Sequence, residues 1–227
     1  MPRQNLSEGS KTYHEDAHIY ERFSQAEDHP RMILDYLLPS TKGKSVLDLG
    51  CGTGKYMAHL ASSASRYVCL DISSEQLRIA RTRAEGNVEF LCSSAESIAL
   101  PDESMDIIIS TWVLGTIVDK DRRSAALREA QRVLKKQGSI YLVENDVGGD
   151  FERIRGRYPD TTRTKRYNEW LEMHDFQAVK RFTTYFQFHD VDEAKRIFGS
   201  IWGRDVADRT KDAKIMHNII IYQQIKR

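Results

Sequence analysis

The stretch Val46–Lys55, VLDLGCGTGK, constrains the fold more than any other part of this chain. Four residues with the apolar bias of a β-strand lead directly into glycines at every second position, Gly50, Gly52 and Gly54. Because glycine has no Cβ, a ligand can lie directly against its backbone. A helix-like segment follows the glycines. This strand–loop–helix junction predicts a cofactor site.

Strands and helices alternate along the chain on both sides of this junction. Apolar runs typical of strands occur at Ser45–Leu49, Tyr67–Leu70, Val88–Cys92, Met105–Ser110 and Ser139–Glu144. Helical spacing and short connections separate them, and we expect Pro39 to break the helix before the first strand and Gly138 to end the helix before the fifth. The alternation predicts an α/β fold with a doubly wound, mostly parallel sheet. After Gly149 we expect a helix at Tyr167–His174, a strand at Phe176–Phe188, a helix at Val191–Phe198 and a last strand at Ile215–Ile225. Residues 150–166 are basic and show no core stripe.

The composition is typical of a globular protein and argues against several other classes of protein. The 227 residues are 40% hydrophobic and 30% charged, as in ordinary globular proteins, and a net charge of +1 argues against broad electrostatic capture of nucleic acid. Three cysteines without a CxxC pair fit buried thiols in a reducing compartment, and we expect no metal site. Residues 1–10 lack the apolar core of a secretory signal, and no apolar run approaches ~18 residues. We therefore expect a cytoplasmic protein without a membrane partner.

The spacing of the glycines separates two kinds of cofactor. A dinucleotide fingerprint has the form G-x-G-x-x-G. Counted from Gly50 or from Gly52, its last glycine falls on Lys55 or Met57. The spacing therefore argues against a dinucleotide.

The pattern Asp48-x-Gly50-x-Gly52-x-Gly54 resembles the first motif of the class I S-adenosylmethionine-dependent methyltransferases, and VLDLGCGTG is close to the type 11, small-molecule branch. The segments LPDESMDIIIS and LREAQRVLKKQGSIYLVEND are similar to later motifs of that family, so the resemblance covers roughly residues 30–146. It implies a Rossmann-like methyltransferase fold with seven strands, the last of them antiparallel, and S-adenosyl-L-methionine as cofactor.

The resemblance also implies where the cofactor would be held. Asp71 ends the second strand, where an acid binds ribose hydroxyls, and Ile72 and the segment 94–96 would contact adenine. The implied cofactor-binding residues are Asp48, Gly50, Cys51, Gly52, Thr53, Gly54, Asp71, Ile72, Gln76, Ser94, Ala95, Glu96 and Thr111. The chain departs from the family at Ser94, often an aspartate, and at Gly115-Thr116, where many relatives carry two histidines.

Candidates for the acceptor side lie in the leading segment, beyond the fourth and fifth strands, and in the basic stretch. The catalytic candidates are His14, Glu144 and Asp146, and the substrate-binding candidates are Tyr13, Tyr20, Trp112, Asn145, Arg153 and Arg157. The arginines fit either recognition of a carboxylate or phosphate on a small acceptor or a solvated charged surface.

These observations predict the domain organisation and the function. We expect a tail and lid segment at residues 1–28 and a methyltransferase domain at residues 29–227, with an acceptor-pocket insertion at about 150–185. The predicted function is in-line methyl transfer from S-adenosylmethionine to a small-molecule acceptor. Two alternatives stay open: a non-catalytic cofactor-binding or regulatory protein on the same fold, and an RNA or protein methyltransferase that uses the basic stretch 150–166. The sequence determines neither the acceptor nor the oligomeric state.

Overall fold

A computed structural model describes Tyr13, residues 16–157 and residues 160–227. Within this part of the chain, seven strands form one sheet in the order β3-β2-β1-β4-β5-β7-β6. The strands are β1 Ser45–Leu49, β2 Arg66–Asp71, β3 Val88–Cys92, β4 Met105–Thr111, β5 Leu134–Asn145, β6 Gln177–Gln187 and β7 Lys214–Ile225. The first five strands pair in parallel, and β7 runs antiparallel to both β5 and β6. The predicted fold class, including the antiparallel last strand, is confirmed.

Helices connect the strands. They are α1 Ala17–Ala26, α2 Met32–Thr41, α3 Met57–Ala61, α4 Ser74–Arg81, α5 Lys120–Val133, α6 Gly149–Ile154, α7 Thr162–Glu172, α8 Val191–Trp202 and α9 Arg204–Arg209. A short 3₁₀ turn at Leu114–Thr116 follows β4. None of the described helices is both long and apolar enough to cross a membrane.

Both faces of the sheet are covered, because side chains of successive strand residues point to opposite faces. Leu47 and Val68 contribute to a core that α5 and α7 cover, whereas Val46 and Tyr67 contribute to a core on the other side. Helices α2, α3 and α4 close that second core. This double covering explains the near-continuous apolar sequence of the central strands.

A third core joins α1 to helices and strands of the C-terminal region. Phe23 of α1 packs with Phe151 of α6, Phe186 of β6 and Phe198 of α8. Residues 150–166 show no core stripe in the sequence, yet Phe151 and Ile154 are buried. A helix of six residues is too short to show a periodic apolar stripe, so the sequence pattern does not reveal it.

Two predicted boundaries also move. Pro39 was expected to break a helix but lies inside α2, two residues before its end, where its missing N–H removes a single helical hydrogen bond. Gly138 was expected to end a helix but lies inside β5. A Cβ on Gly138 would lie 2.8 Å from the carbonyl oxygen of Asp106, so glycine allows a close approach at an irregularity between β4 and β5.

Candidate functional site

A cavity of about 670 Å³ opens at the carboxyl ends of the central parallel strands. One part of its wall is the glycine loop after β1 with the residues that follow β2 and β3. The opposite part comes from α1, the segment after β4, and helices α6, α7 and α8. Ligands of open α/β sheets bind at this edge, and the volume lies in the range of small-molecule sites.

The glycine loop is held in a shape that other residues would adopt only with strain. Gly50, Gly52 and Gly54 have φ values of +78°, +55° and +77°. A Cβ on Gly50 would lie 2.2 Å from Cγ2 of Val113, which follows β4. The backbone N–H groups of Gly50 and Cys51 both donate to the carbonyl of Leu70, at 2.7 and 3.0 Å. The loop is therefore tied to the end of β2 and packed against the end of β4.

Asp71 connects the glycine loop to the next helix. Its Oδ2 accepts hydrogen bonds from the Gly52 N–H, at 2.9 Å, and from the Tyr13 hydroxyl. Its Oδ1 accepts from the Ser73 N–H at 2.9 Å. The amide of Gln76 in turn donates to the Tyr13 carbonyl at 2.7 Å. The leading segment of the chain thus lies directly against the carboxylate at the end of β2.

Asp48 lies below the loop and is almost fully buried. The Tyr67 hydroxyl donates to its Oδ2 at 2.9 Å. Burial raises the pKa of Asp48 to about 7, although the hydrogen bond from Tyr67 opposes the shift. A carboxyl group with such a pKa exchanges a proton near neutrality.

Glu144 lies at the end of β5, on the acceptor part of the cavity wall. Its side chain is buried, and the Tyr167 hydroxyl donates to its Oε1 at 2.7 Å. Burial raises the pKa of Glu144 to about 8, against the opposing hydrogen bonds from Tyr167 and the Gly115 backbone. Glu144 therefore holds a proton over most of the physiological range.

Trp112 forms the wall next to Glu144. Its φ of +56° is unusual for a residue other than glycine, and its N–H donates to the Val143 carbonyl at 2.9 Å. Its ring stacks on His217 with 5.9 Å between the centroids. The Nε2 of His217 lies 2.7 Å from Oδ1 of Asn145. The strained backbone directs a large aromatic side chain to the junction of β4, β5 and β7.

Most predicted cofactor residues line this cavity. The exceptions are Gly54, where a Cβ would lie 3.2 Å from Cε of Met57, and Gln76, which donates to the Tyr13 carbonyl. Glu96 also forms an ion pair with Arg122, at 2.8 Å between Oε1 and Nη2. The cofactor assignments themselves stay predictions.

The predicted catalytic and substrate-binding residues divide into those that line the cavity and those that do not. Tyr13, Tyr20, Trp112, Asn145 and Arg157 line the cavity, as does Glu144. Arg153 is exposed, does not line the cavity and bonds to Asp150 at 2.7 Å. Asp146 is also outside the lining, 3.2 Å from Nε of Arg181, and His14 falls outside the described residues.

Several lining residues are not indicated by any sequence motif. They are Glu27, Lys55, Arg155, Tyr167 and Trp202. Arg155 lies between Arg153 and Arg157, which are both predicted substrate-binding residues. The alternating arginines of this basic stretch therefore indicate Arg155 as well. The sequence does not reveal the turn of α6, which ends at Ile154 and brings Arg155 to the cavity while Arg153 remains outside.

Comparison with known proteins agrees with this geometry. The family model Methyltransf_11, described as a methyltransferase domain, matches residues 47–142. These residues include the glycine loop, Asp71 and strands β2 to β4. Residues 47–142, less than half of the chain, are therefore similar to a methyltransferase domain.

A curated relative of this methyltransferase domain is the ubiquinone/menaquinone biosynthesis C-methyltransferase UbiE of Shewanella sp. (strain ANA-3). It is 37% identical over 110 residues, which cover 45% of this chain and 43% of the relative. The chain thus matches less than half the length of that relative. S-adenosylmethionine is the cofactor of this class of domain.

Solved structures extend the likeness of the methyltransferase fold beyond the family match. The YcgJ protein from Bacillus subtilis has a TM-score of 0.61 at 21% identity, covering 86% of this chain and 97% of that one. The 4+2 cyclase SpnF has a TM-score of 0.60 at 21% identity, covering 88% of this chain and 81% of that one. At these identities the comparison shows the fold alone.

Proposed function

We propose that this protein transfers a methyl group from S-adenosylmethionine to a small-molecule acceptor. The observation that carries the proposal is the continuous cavity that joins the glycine loop and Asp71 to Glu144 and the aromatic and basic side chains of the C-terminal region. The methyltransferase-domain match to residues 47–142 supports the donor, and the UbiE likeness supports an acceptor of small size.

The residues at the first part of the cavity fit this cofactor. Asp71 already accepts a hydrogen bond from a hydroxyl, that of Tyr13, which is the interaction that ribose hydroxyls require. Gly52 leaves bare backbone beside it, and Ile72 is 53% exposed and available to pack on an adenine ring. We propose that Asp71 holds the ribose, the glycine loop the methionine part, and Ile72 with Ser94–Glu96 the adenine.

Methyl transfer requires mainly that the protein align the accepting atom with the methyl group and exclude water. S-adenosylmethionine supplies, when bound, a methyl group that is already activated on a sulfonium. The protein then has to hold the accepting atom in line with that methyl group. Tyr13 and Tyr20, in edge-to-face contact at 4.6 Å, and Phe23 next to them form an aromatic cover over the cavity that would exclude water.

Among the catalytic candidates we propose Glu144 as the group that exchanges a proton with the acceptor. It lines the cavity, whereas Asp146 is paired with Arg181. A carboxyl group with a pKa of about 8 is matched to proton transfer near neutral pH. Tyr167, whose hydroxyl bonds to Oε1, orients the carboxyl group.

A second function on the same fold needs to be distinguished. The solved relative SpnF is described as a 4+2 cyclase, so this architecture also supports other chemistry. A chain that binds the cofactor without transferring a methyl group would fit that precedent or a regulatory role. The RNA alternative is less favoured, because Arg155, Arg157 and Arg163 of the basic stretch line the cavity.

The test has two steps. Calorimetry with S-adenosylmethionine and S-adenosylhomocysteine should show binding to the wild type and binding weaker by about tenfold or more in Asp71→Asn, because an amide donor would face the Gly52 N–H and could not accept both ribose hydroxyls. Incubation with methyl-labelled cofactor and a metabolite extract, followed by mass spectrometry, should then yield a labelled small molecule. Equal affinity in both proteins would contradict the cofactor site, and binding without any labelled product would favour the non-catalytic alternative.

A further inference from the structure

We infer that the acceptor part of the cavity contains a subsite for a carboxylate or phosphate group, centred on Arg155 at the end of α6. This inference rests on the proposed function, since it assigns a charge to the acceptor of the same site. It concerns the cavity wall formed by α6 and α8, after β5, whereas the proposed cofactor residues follow β1, β2 and β3.

The Arg155 guanidinium is held in place by aromatic rings. It lies 4.7 Å from the ring centroid of Trp202 and 5.0 Å from that of Phe151. No hydrogen bond or ion pair joins this guanidinium to another side chain in the described part of the protein. The two rings are inclined at 68° to each other, so together they restrict the movement of the guanidinium. Its N–H donors remain available, as bidentate anion recognition requires.

The surroundings of Arg155 carry an excess of positive charge. Arg157 and Arg163 also line the cavity, and their charges act on Arg155 in the same direction as burial, which lowers its pKa to about 9. Glu152 is the main opposing charge, but it lies 3.6 Å from Nη1 of Arg157 and accepts a bond from Thr164 at 3.0 Å. A desolvated cation without its own counter-ion is costly, so an anion that pairs with Arg155 would relieve that cost.

A second, partly buried cation of the cavity shows the contrast. Lys55, next to the glycine loop, donates to the carbonyl of Glu27 and lies 3.9 Å from its Oε2. This cation therefore has its counter-ion within the protein. Among the described cations that line the cavity, Arg155 and Arg163 form no ion pair, and of these two Arg155 is the one that contacts the aromatic wall.

The neighbours of Arg155 also indicate what the rest of the acceptor is like. Phe23, Phe151, Ile201 and Trp202 line the same region of the cavity and offer apolar surface. The subsite thus fits an organic acid or phosphate monoester whose body is apolar and whose single charged group meets Arg155.

The test uses model anions on protein saturated with S-adenosylhomocysteine. Benzoate and phenyl phosphate are the charged probes, and benzamide is the neutral match for benzoate. Binding is followed by calorimetry and by the tryptophan fluorescence that Trp202 contributes. We expect benzoate or phenyl phosphate to bind the wild type at least about tenfold more tightly than benzamide, since a charged hydrogen bond is lost with the amide.

The variants separate charge from packing. Arg155→Met retains an unbranched apolar stem between the two rings but removes the charge, and we expect it to weaken binding of the charged probes by about tenfold or more without changing that of benzamide. Arg153→Met, at an exposed position outside the cavity, is the matched control and should bind as the wild type does. If Arg155→Met is unstable, Arg163→Gln at the exposed rim should weaken the same probes to a smaller extent.

The outcomes distinguish this inference from the proposed function. If the wild type binds benzoate and benzamide equally, or if Arg155→Met binds the anions as the wild type does, the anion subsite is wrong while the methyltransferase proposal stands. If Arg155→Met instead loses affinity for S-adenosylhomocysteine, Arg155 holds the carboxylate of the cofactor and the assignment to the acceptor is overturned. If the wild type binds the anions without any affinity for S-adenosylhomocysteine, the proposed function fails and the subsite stands.

Discussion

The hydroxyl of Tyr13 donates a hydrogen bond to Oδ2 of Asp71, a residue 58 positions further along the chain. The same oxygen accepts the N–H of Gly52, so one carboxylate holds the leading segment and the glycine loop together. Under the proposed function, Asp71 is also the ribose-binding residue. Tyr13 and the cofactor would then compete for one acceptor atom, which makes the leading segment part of the binding equilibrium.

Tyr13→Phe should therefore increase the affinity for S-adenosylhomocysteine. The substitution removes the competing hydroxyl but keeps the ring that packs edge-to-face on Tyr20. A net hydrogen bond contributes about 1 kcal/mol, so we expect about fivefold tighter binding by calorimetry. Tyr20→Phe is the control, because it removes a hydroxyl from the same aromatic cover and should leave the affinity nearly unchanged. Weaker binding in Tyr13→Phe would mean that this hydroxyl contacts the cofactor itself.

Gly50→Ala should both destabilise the protein and abolish cofactor binding. The new Cβ would lie 2.2 Å from Cγ2 of Val113 and would force the φ of +78° on alanine. Gly43→Ala isolates the cost of placing alanine at a positive φ from the cost of a steric clash. At Gly43 φ is +69°, and a Cβ would meet no described atom within 4 Å. We expect a loss of about 1 kcal/mol in the free energy of unfolding for Gly43→Ala and a clearly larger loss for Gly50→Ala, measured by urea denaturation.

The steric part of that loss has its own check. Val113→Ala removes the two methyl groups that would lie nearest to the Cβ of an alanine at position 50, at 2.2 and 3.2 Å. The double variant Gly50→Ala/Val113→Ala should then be more stable than the sum of the single effects predicts. Strict additivity would show that Val113 is not the source of the strain.

Glu144 should make the protein less stable as pH rises through the neutral range. Its folded-state pKa of about 8 lies above the ordinary value of 4.5, so the folded protein retains a proton that the unfolded chain releases between these values. Its stability contribution is full below about pH 4.5 and is lost progressively up to about pH 8, by a few kcal/mol at about 1.4 kcal/mol for each pKa unit. Denaturation of Glu144→Gln between pH 5 and pH 8 should show a flatter pH dependence than the wild type.

The control for this experiment is Glu85→Gln, at an exposed position, which should leave the pH dependence of the wild type intact. Activity gives an independent readout once an acceptor is known. If Glu144 takes the proton from the acceptor, kcat/KM should rise with pH towards about 8 in the wild type and lose that dependence in Glu144→Gln. Identical pH profiles of both stability and activity would show that Glu144 does not titrate in this range.

The aromatic core around Phe198 should contribute strongly to the stability of the folded protein. Phe198 is fully buried and contacts the rings of Phe23, Phe151, Phe186 and Trp202. Phe198→Ala should reduce the free energy of unfolding by about 3–5 kcal/mol, through lost burial and the cavity left behind. Met173→Ala, where the residue is 74% exposed, is the control and should change it by less than about 0.5 kcal/mol. A small effect of Phe198→Ala would show that this core is not cooperative with the sheet.

Sequence patterns predicted well the strands that lead to the cavity and the glycine loop between β1 and the next helix. Val46–Leu49, the alternate glycines and Asp71 are local features, and each lies within one strand or at its end. In a parallel sheet the carboxyl ends of neighbouring strands meet at one edge, so strand order alone brings such residues together. The boundaries at Pro39 and Gly138 failed because a close approach between strands and the end of a short helix depend on partners that are distant in sequence.

The sequence by itself determined the alternation of helices and strands and the glycine spacing, which argues against a dinucleotide cofactor. It also determined which residue types are available to the site. These features are encoded over a few neighbouring positions. Only the tertiary structure decided that Tyr13 meets Asp71, that Arg155 rather than Arg153 reaches the cavity, and that Glu144 retains a proton to a pKa of about 8. The physical reason is that desolvation and long-range contacts arise from packing of segments far apart in the chain, and no local pattern records them.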